Sequence, residues 1–105
     1  MLEATKSIAS KVRSLSGLDG DWAELVQRAF GFGRDSKPIV AINTLATETD
    51  RGEQRNFVSL LVGVFGSVRN PLAHNSRAEW QMVEQDALDI LTLVSLIHRK
   101  LDRVV

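Results

Sequence analysis

The chain has 105 residues, room for one compact domain and not two. Thirteen Lys and Arg balance thirteen Asp and Glu, which excludes wholesale coating of a polyanion and makes any contact with nucleic acid local. The absence of cysteine excludes disulfides, thiol nucleophiles and Cys-based zinc sites, and with only two histidines no His-rich metal centre and no cofactor are expected.

From Leu2 to Leu15 the apolar residues Ile8, Val12 and Leu15 recur at helical spacing among Lys6, Lys11 and Arg13, predicting an amphipathic helix that Gly17 stops. Asp21-Trp22-Ala23-Glu24 has the form of a capping box, and Leu25, Val26, Ala29 and Phe30 then fall on one stripe of a second helix. Gly31, Gly33, Asp35, Ser36 and Pro38 are turn chemistry, and Ile39 to Leu45 reads as an extended connector with room for one short strand. From about Asp50, the residues Phe57, Leu60, Leu61, Val64, Phe65 and Val68 mark one face of a core helix. Ser59, Gly63, Gly66 and Ser67 add a stripe of small side chains along which another backbone could approach, unless the glycines only mark a fraying end. A last helix is expected from the capping box Ser76-Arg77-Ala78-Glu79 to about Arg103, with an apolar band (Ala87, Leu88, Ile90, Leu91, Leu93, Val94, Ile97, Leu101) too wide for one neighbour to cover. The fold class expected is all-α, a bundle of four to five helices paired with a second copy through its core helices. No apolar run reaches bilayer length and Met1-Leu2-Glu3-Ala4-Thr5-Lys6 lacks the layout of a signal peptide, so a cytoplasmic location without a membrane partner is expected.

Arg69-Asn70-Pro71-Leu72-Ala73-His74 joins the two core helices. Proline disfavours helical angles at the residue before it and suits the first position of a new helix, which predicts a break with Asn70 as N-cap and His74 in the opening turn. A kink there would let Arg69 and His74 converge, although the two lie about 140° apart around an unbroken helix. In that straight alternative Ser67, Asn70, His74 and Arg77 share one polar stripe. Between Gln54 and Ala78 there is no acidic residue, whereas Arg55, Arg69, Arg77 and His74 fall inside this window, so a local cationic surface is expected. A new helix N-terminus would add free N–H groups and a positive dipole end, which attract phosphate and keep an imidazole neutral. The plainer reading also stands: Asn-Pro is a common capping pair, Arg69 can cover the preceding turn, and a lone His in a helix is often a packed or solvated residue.

Gly66-Ser67-Val68-Arg69-Asn70-Pro71-Leu72-Ala73-His74, preceded by Asn43-Thr44-Leu45-Ala46-Thr47-Glu48-Thr49-Asp50 and Glu53-Gln54, resembles the Ymh family, a branch of the HEPN superfamily. The likeness runs from about Gly20 to Asp102 and closes on Ser95-Leu96-Ile97-His98-Arg99-Lys100-Leu101-Asp102. It implies one HEPN-like helical domain over 1–105, compatible with the C-terminal part of a longer protein, that pairs so as to bring two Arg and His motifs into one cleft. It further implies metal-independent cleavage of RNA, in a toxin or phage-defence setting, with an antitoxin or a fused sensor domain as partner. Carried over by position, Arg69 and His74 are the catalytic pair and Asn70 orients them. Apart from the resemblance, Arg55, Arg77 and Ser67 are the residues expected to contact phosphate on single-stranded RNA.

As chemistry, His74 would withdraw the ribose 2′-hydroxyl proton or return one to the leaving 5′-oxygen, while Arg69 stabilises charge on the pentacoordinate phosphorus. A homodimer would supply two histidines, one as base and one as acid. The alternatives are a non-catalytic dimerisation module and a nucleic-acid-binding module that does not cut. His98 beside Arg99 and Lys100 is expected to complement a helix C-terminus. Glu79, Glu84, Asp86 and Asp89 are expected to form a solvated face, and Trp22 and Trp80 to be core or interface anchors. Glu53 and Gln54 belong to the family-like block with no chemical role evident in the sequence.

Overall fold

The structure is a computed structural model that describes the backbone of residues 2–20, 22–33, 37–74 and 84–105, and the side chains of all these except residues 2 and 69–74. Four α-helices occur in it, α1 (Leu2–Ser16), α2 (Trp22–Phe30), α3 (Glu48–His74) and α4 (Glu84–Leu101), with no strand among the described residues.

Each helix forms where apolar spacing matches the helical period. In α1, Ile8 and Val12 are fully buried with Ala9 beside them, whereas Leu15 at the end of the predicted stripe is exposed. Gly17 ends α1 as expected: it takes φ 73°, and its N–H donates to the Arg13 carbonyl at 2.9 Å. Helix α2 buries Leu25, Val26, Ala29 and Phe30, the stripe the spacing predicts. Its expected N-cap, Asp21, lies outside the described residues. Half-buried Trp22 has φ 56° and sets its ring edge-on against Phe65, with centroids 5.1 Å apart, so it is the packing anchor expected of it. Trp80 lies outside the described residues.

Along α3, Phe57, Leu61, Val64, Phe65 and Val68 are buried and Leu60 is half-buried. On α4 only Val94, Ile97 and Leu101 of the wide apolar band are buried, while Leu88, Leu91 and Leu96 remain exposed. The predicted opening of this helix at Ser76 falls outside the described residues. Packing is organised around α1, which lies against α2, α3 and α4, and α2 runs along α3. Although consecutive in the chain, α3 and α4 are not a closely packed pair among the described residues. The space between them is a groove of about 310 Å³ lined by Ser59, Leu60, Gly63, Val64, Ser67, Ile90 and Leu93. No non-neighbouring atom comes within 4 Å of where a Cβ on Gly63 would stand, so the close backbone approach suggested by the small stripe is not made there.

The segment read as a possible strand, Ile39 to Leu45, forms none. Its backbone groups are satisfied by other partners: Val40 N–H donates to the Ala29 carbonyl, Val105 N–H to the Ala41 carbonyl, and Ile42 N–H to the side chain of Gln54.

Candidate functional site

Helix α3 starts from a reciprocal cap. Thr47 Oγ1 accepts the Asp50 N–H at 3.1 Å while Asp50 Oδ2 accepts the Thr47 N–H at 3.3 Å. Next to Thr47, Glu48 accepts from Arg51 at 3.1 Å and from Arg55 at 2.6 Å. Its hydrogen bond to Arg55, then that to Arg51, and the charges of both hold its carboxyl below the usual range. Two guanidinium groups thus share one carboxylate. Arg55 also places its guanidinium 5.8 Å from the centroid of the Phe32 ring.

The connector is locked onto this part of α3. Fully buried Gln54 accepts from Ile42 N–H at 2.9 Å and donates at 2.9 Å to the carbonyls of both Phe30 and Val40. Asn43 donates to the Asp50 carbonyl at 2.9 Å and accepts the Leu45 N–H at 2.8 Å, and Arg51 donates to the Leu45 carbonyl at 3.2 Å. These bonds hold Leu45 at φ 57°, a conformation costly for a branched side chain. The block Asn43 to Gln54 is thus a structural clamp. Gln54 was singled out by the sequence without a role; a polar residue aligned with the apolar positions of α3 was its one available signal.

The expected break at Asn70-Pro71 does not occur, for α3 is helical from Glu48 to His74. Proline removes one helical hydrogen bond, that to the Ser67 carbonyl, and crowds the preceding turn. A helix already running through 48–69 propagates without a new nucleation cost, and here that outweighs the local preference. Consequently no helix N-terminus opens beside His74 among the described residues. The N–H groups and positive dipole end of α3 lie at Glu48, about 30 Å from position 69.

An unbroken helix corrects the expected convergence, since backbone positions 69 and 74 stand about 140° apart around α3. Positions 67, 70 and 74 share a stripe instead. Exposed Ser67 donates its hydroxyl to the Gly63 carbonyl at 2.8 Å. The side chains of Arg69, Asn70 and His74, and the whole of Arg77, lie outside the described residues. Arg55 is 14 positions before Arg69, about 21 Å along the axis, so it does not join the motif in one pocket of a single copy.

The remaining candidates have structural settings. His98 Nε2 stands 3.0 Å from Ser7 Oγ, tying α4 to α1. Burial, then the neighbouring Lys11 charge, lowers the affinity of its ring for a proton, against a smaller opposing effect of Asp102. His98 thus stands in the basic last turn of α4 with Arg99 and Lys100, and there it also ties α4 to α1. Glu84, Asp86 and Asp89 are exposed, the solvated face expected of them, and Glu79 lies outside the described residues. Among the described residues no three His, Cys, Asp or Glu side chains gather as a metal site would require, and no helix is long and apolar enough to cross a membrane.

The family model described as "Protein of unknown function (Hypoth_ymh)" matches residues 1–101. The chain belongs to the Ymh family. No curated protein and no solved structure matches it. The Ymh match takes in α1 as well as the region from Gly20 onward, so the helix that contacts the other three belongs to the family unit. Both the Asn43 to Gln54 clamp and the Arg69 to His74 motif fall inside it.

Proposed function

We propose that this Ymh-family protein is a metal-independent endoribonuclease of the HEPN type, cutting single-stranded RNA at a site shared by two copies of the chain. The observation that carries the reading is a register. Ser59, Gly63 and Ser67 line the open groove between α3 and α4, and the same stripe continues through positions 70 and 74. A second copy seated along that groove would bring its own positions 70 and 74 beside those of the first. The acid-free window from Gln54 to Ala78 supports the reading by keeping the surroundings cationic.

In this mechanism one His74 takes the ribose 2′-hydroxyl proton, the 2′-oxygen attacks phosphorus, and the bond to the 5′-oxygen breaks. The other His74 protonates that leaving oxygen, giving a 2′,3′-cyclic phosphate and a free 5′-hydroxyl. Arg69 stabilises the charge on the pentacoordinate phosphorus, and Asn70 orients the substrate or the imidazole. Because positions 69 and 74 diverge on one α3, the pair that meets a given phosphate is drawn from both copies. A cytoplasmic location, a toxin or phage-defence setting, and an antitoxin or sensor partner form part of the same proposal.

The test is cleavage of single-stranded RNA in the presence of chelator by the parent, Arg69→Ala and His74→Ala proteins. A loss of at least about a hundredfold in each variant is expected, the usual contribution of a general acid or base. Equal rates in all three would leave the second reading, a non-catalytic association module, which the exposed Leu88 and Leu91 on α4 favour.

A further inference from the structure

A second feature of α3 lies away from the motif. Where α2 ends against α3, a shelf of about 380 Å³ is lined by Gln27, Gly31, Phe32, Arg55, Val58 and Ser59. Its size falls at the lower end of small-ligand sites. Phe32 is the sole aromatic among the exposed large hydrophobic side chains of the described residues, at 37% exposure. The Arg55 guanidinium lies over this ring, 5.8 Å from its centroid, so the two form a stacked aromatic–cationic pair. Gln27 and Ser59 also line the shelf, the Ser59 hydroxyl donating to the Arg55 carbonyl at 3.4 Å. The α3–α4 groove, by contrast, is bounded mainly by Leu60, Val64, Ile90 and Leu93.

We propose that this shelf is a nucleotide subsite for single-stranded RNA, with a base stacked against the Phe32–Arg55 pair and the adjoining phosphate drawn to Arg55; the inference rests on the ribonuclease reading above. An exposed ring beside a guanidinium is the combination that holds unpaired bases without sequence preference, and amide groups can reach a base edge. Arg55 shares the Glu48 carboxylate with Arg51, so its charge is only partly offset there. The register of α3 links shelf and motif. Positions 55 and 69 are two heptads apart and so stand within about 40° of one another around the helix. With about 21 Å between them along the axis, one strand laid along α3 would pass both.

The experiment measures binding of 2′-O-methylated single-stranded RNA, which lacks the attacking hydroxyl and so reports affinity apart from cleavage. Phe32→Ala should weaken binding about tenfold. Arg55→Gln should weaken it and reduce the salt dependence by about one phosphate contact, with Glu48 still paired to Arg51. Lys6→Gln, at an exposed cation on α1, should leave affinity unchanged. If both shelf variants bind as the parent does while Arg69→Ala loses binding, the shelf assignment is overturned and the ribonuclease reading stands. If the shelf variants lose binding while Arg69→Ala and His74→Ala cut RNA as the parent does, the subsite stands without that nuclease. A parent that binds no single-stranded oligonucleotide overturns the subsite.

Discussion

The side-chain amide of Gln54 donates to the carbonyl of Phe30 at 2.9 Å, joining the last residue of α2 to the second turn of α3 across 24 positions of sequence. The same amide satisfies Val40 and Ile42, so one buried side chain holds the connector shut and orients the half of α3 that carries Arg55. Replacing it with Ala leaves an N–H and two carbonyls without this partner, at a cost of about 2–4 kcal/mol. A fall in Tm on the order of 10 °C or more should follow. Gln54→Glu keeps the acceptor but turns a carboxylate oxygen toward two carbonyls, and should also destabilise. An unchanged Tm in Gln54→Ala would remove the clamp from the account of the fold.

Acid should loosen the contact between α1 and α4 in two steps. Burial and Lys11 depress the folded pKa of His98, so the unfolded chain takes up the proton first. The contribution of the neutral ring is then complete above the ordinary value near 6.5 and is lost as pH falls through the lower folded value. Asp102, held low chiefly by its hydrogen bond from Lys11, behaves likewise from 3.8 downward. Denaturant unfolding at a series of pH values should show the first step in the parent and lose it in His98→Gln. A parent whose stability is level between pH 7 and 5 would contradict the assignment.

Gly17 isolates a backbone effect. Nothing stands within 4 Å of a Cβ built there, so Gly17→Ala creates no clash, yet φ 73° is costly for alanine. A loss of about 1 kcal/mol is expected from thermal or denaturant unfolding. A stabilised variant would mean that α1 can end by another geometry.

The exposed apolar ridge of α4 tests the paired assembly that the proposed function requires. Leu88 is 51% and Leu91 46% exposed, beside the groove that Ile90 and Leu93 line. Leu91→Glu should shift the protein from dimer to monomer in sedimentation or light scattering, with little effect on the fold of each copy because the side chain is outside its core. A parent that is monomeric at every concentration would end the shared-site mechanism.

Local chemistry was readable in the chain itself. Ile8 and Val12, Leu25 to Phe30, and Phe57 to Val68 repeat at the helical period, and Gly17 carries its own stop, because periodicity and caps involve residues within a few positions of one another. The Arg-Asn-Pro-x-Ala-His motif could be recognised as a string, although the path of its backbone could not. Proline's preference to open a helix yields when a long helix already feeds into it, and that is a property of α3 as a whole. Long-range packing alone determined that Gln54 faces inward to bond with the connector, that Ile39 to Leu45 has no strand partner, and that α3 and α4 leave a groove between them. Each depends on which distant backbone groups need hydrogen bonds and which apolar faces α1 has already covered, and those demands arise only when the helices meet.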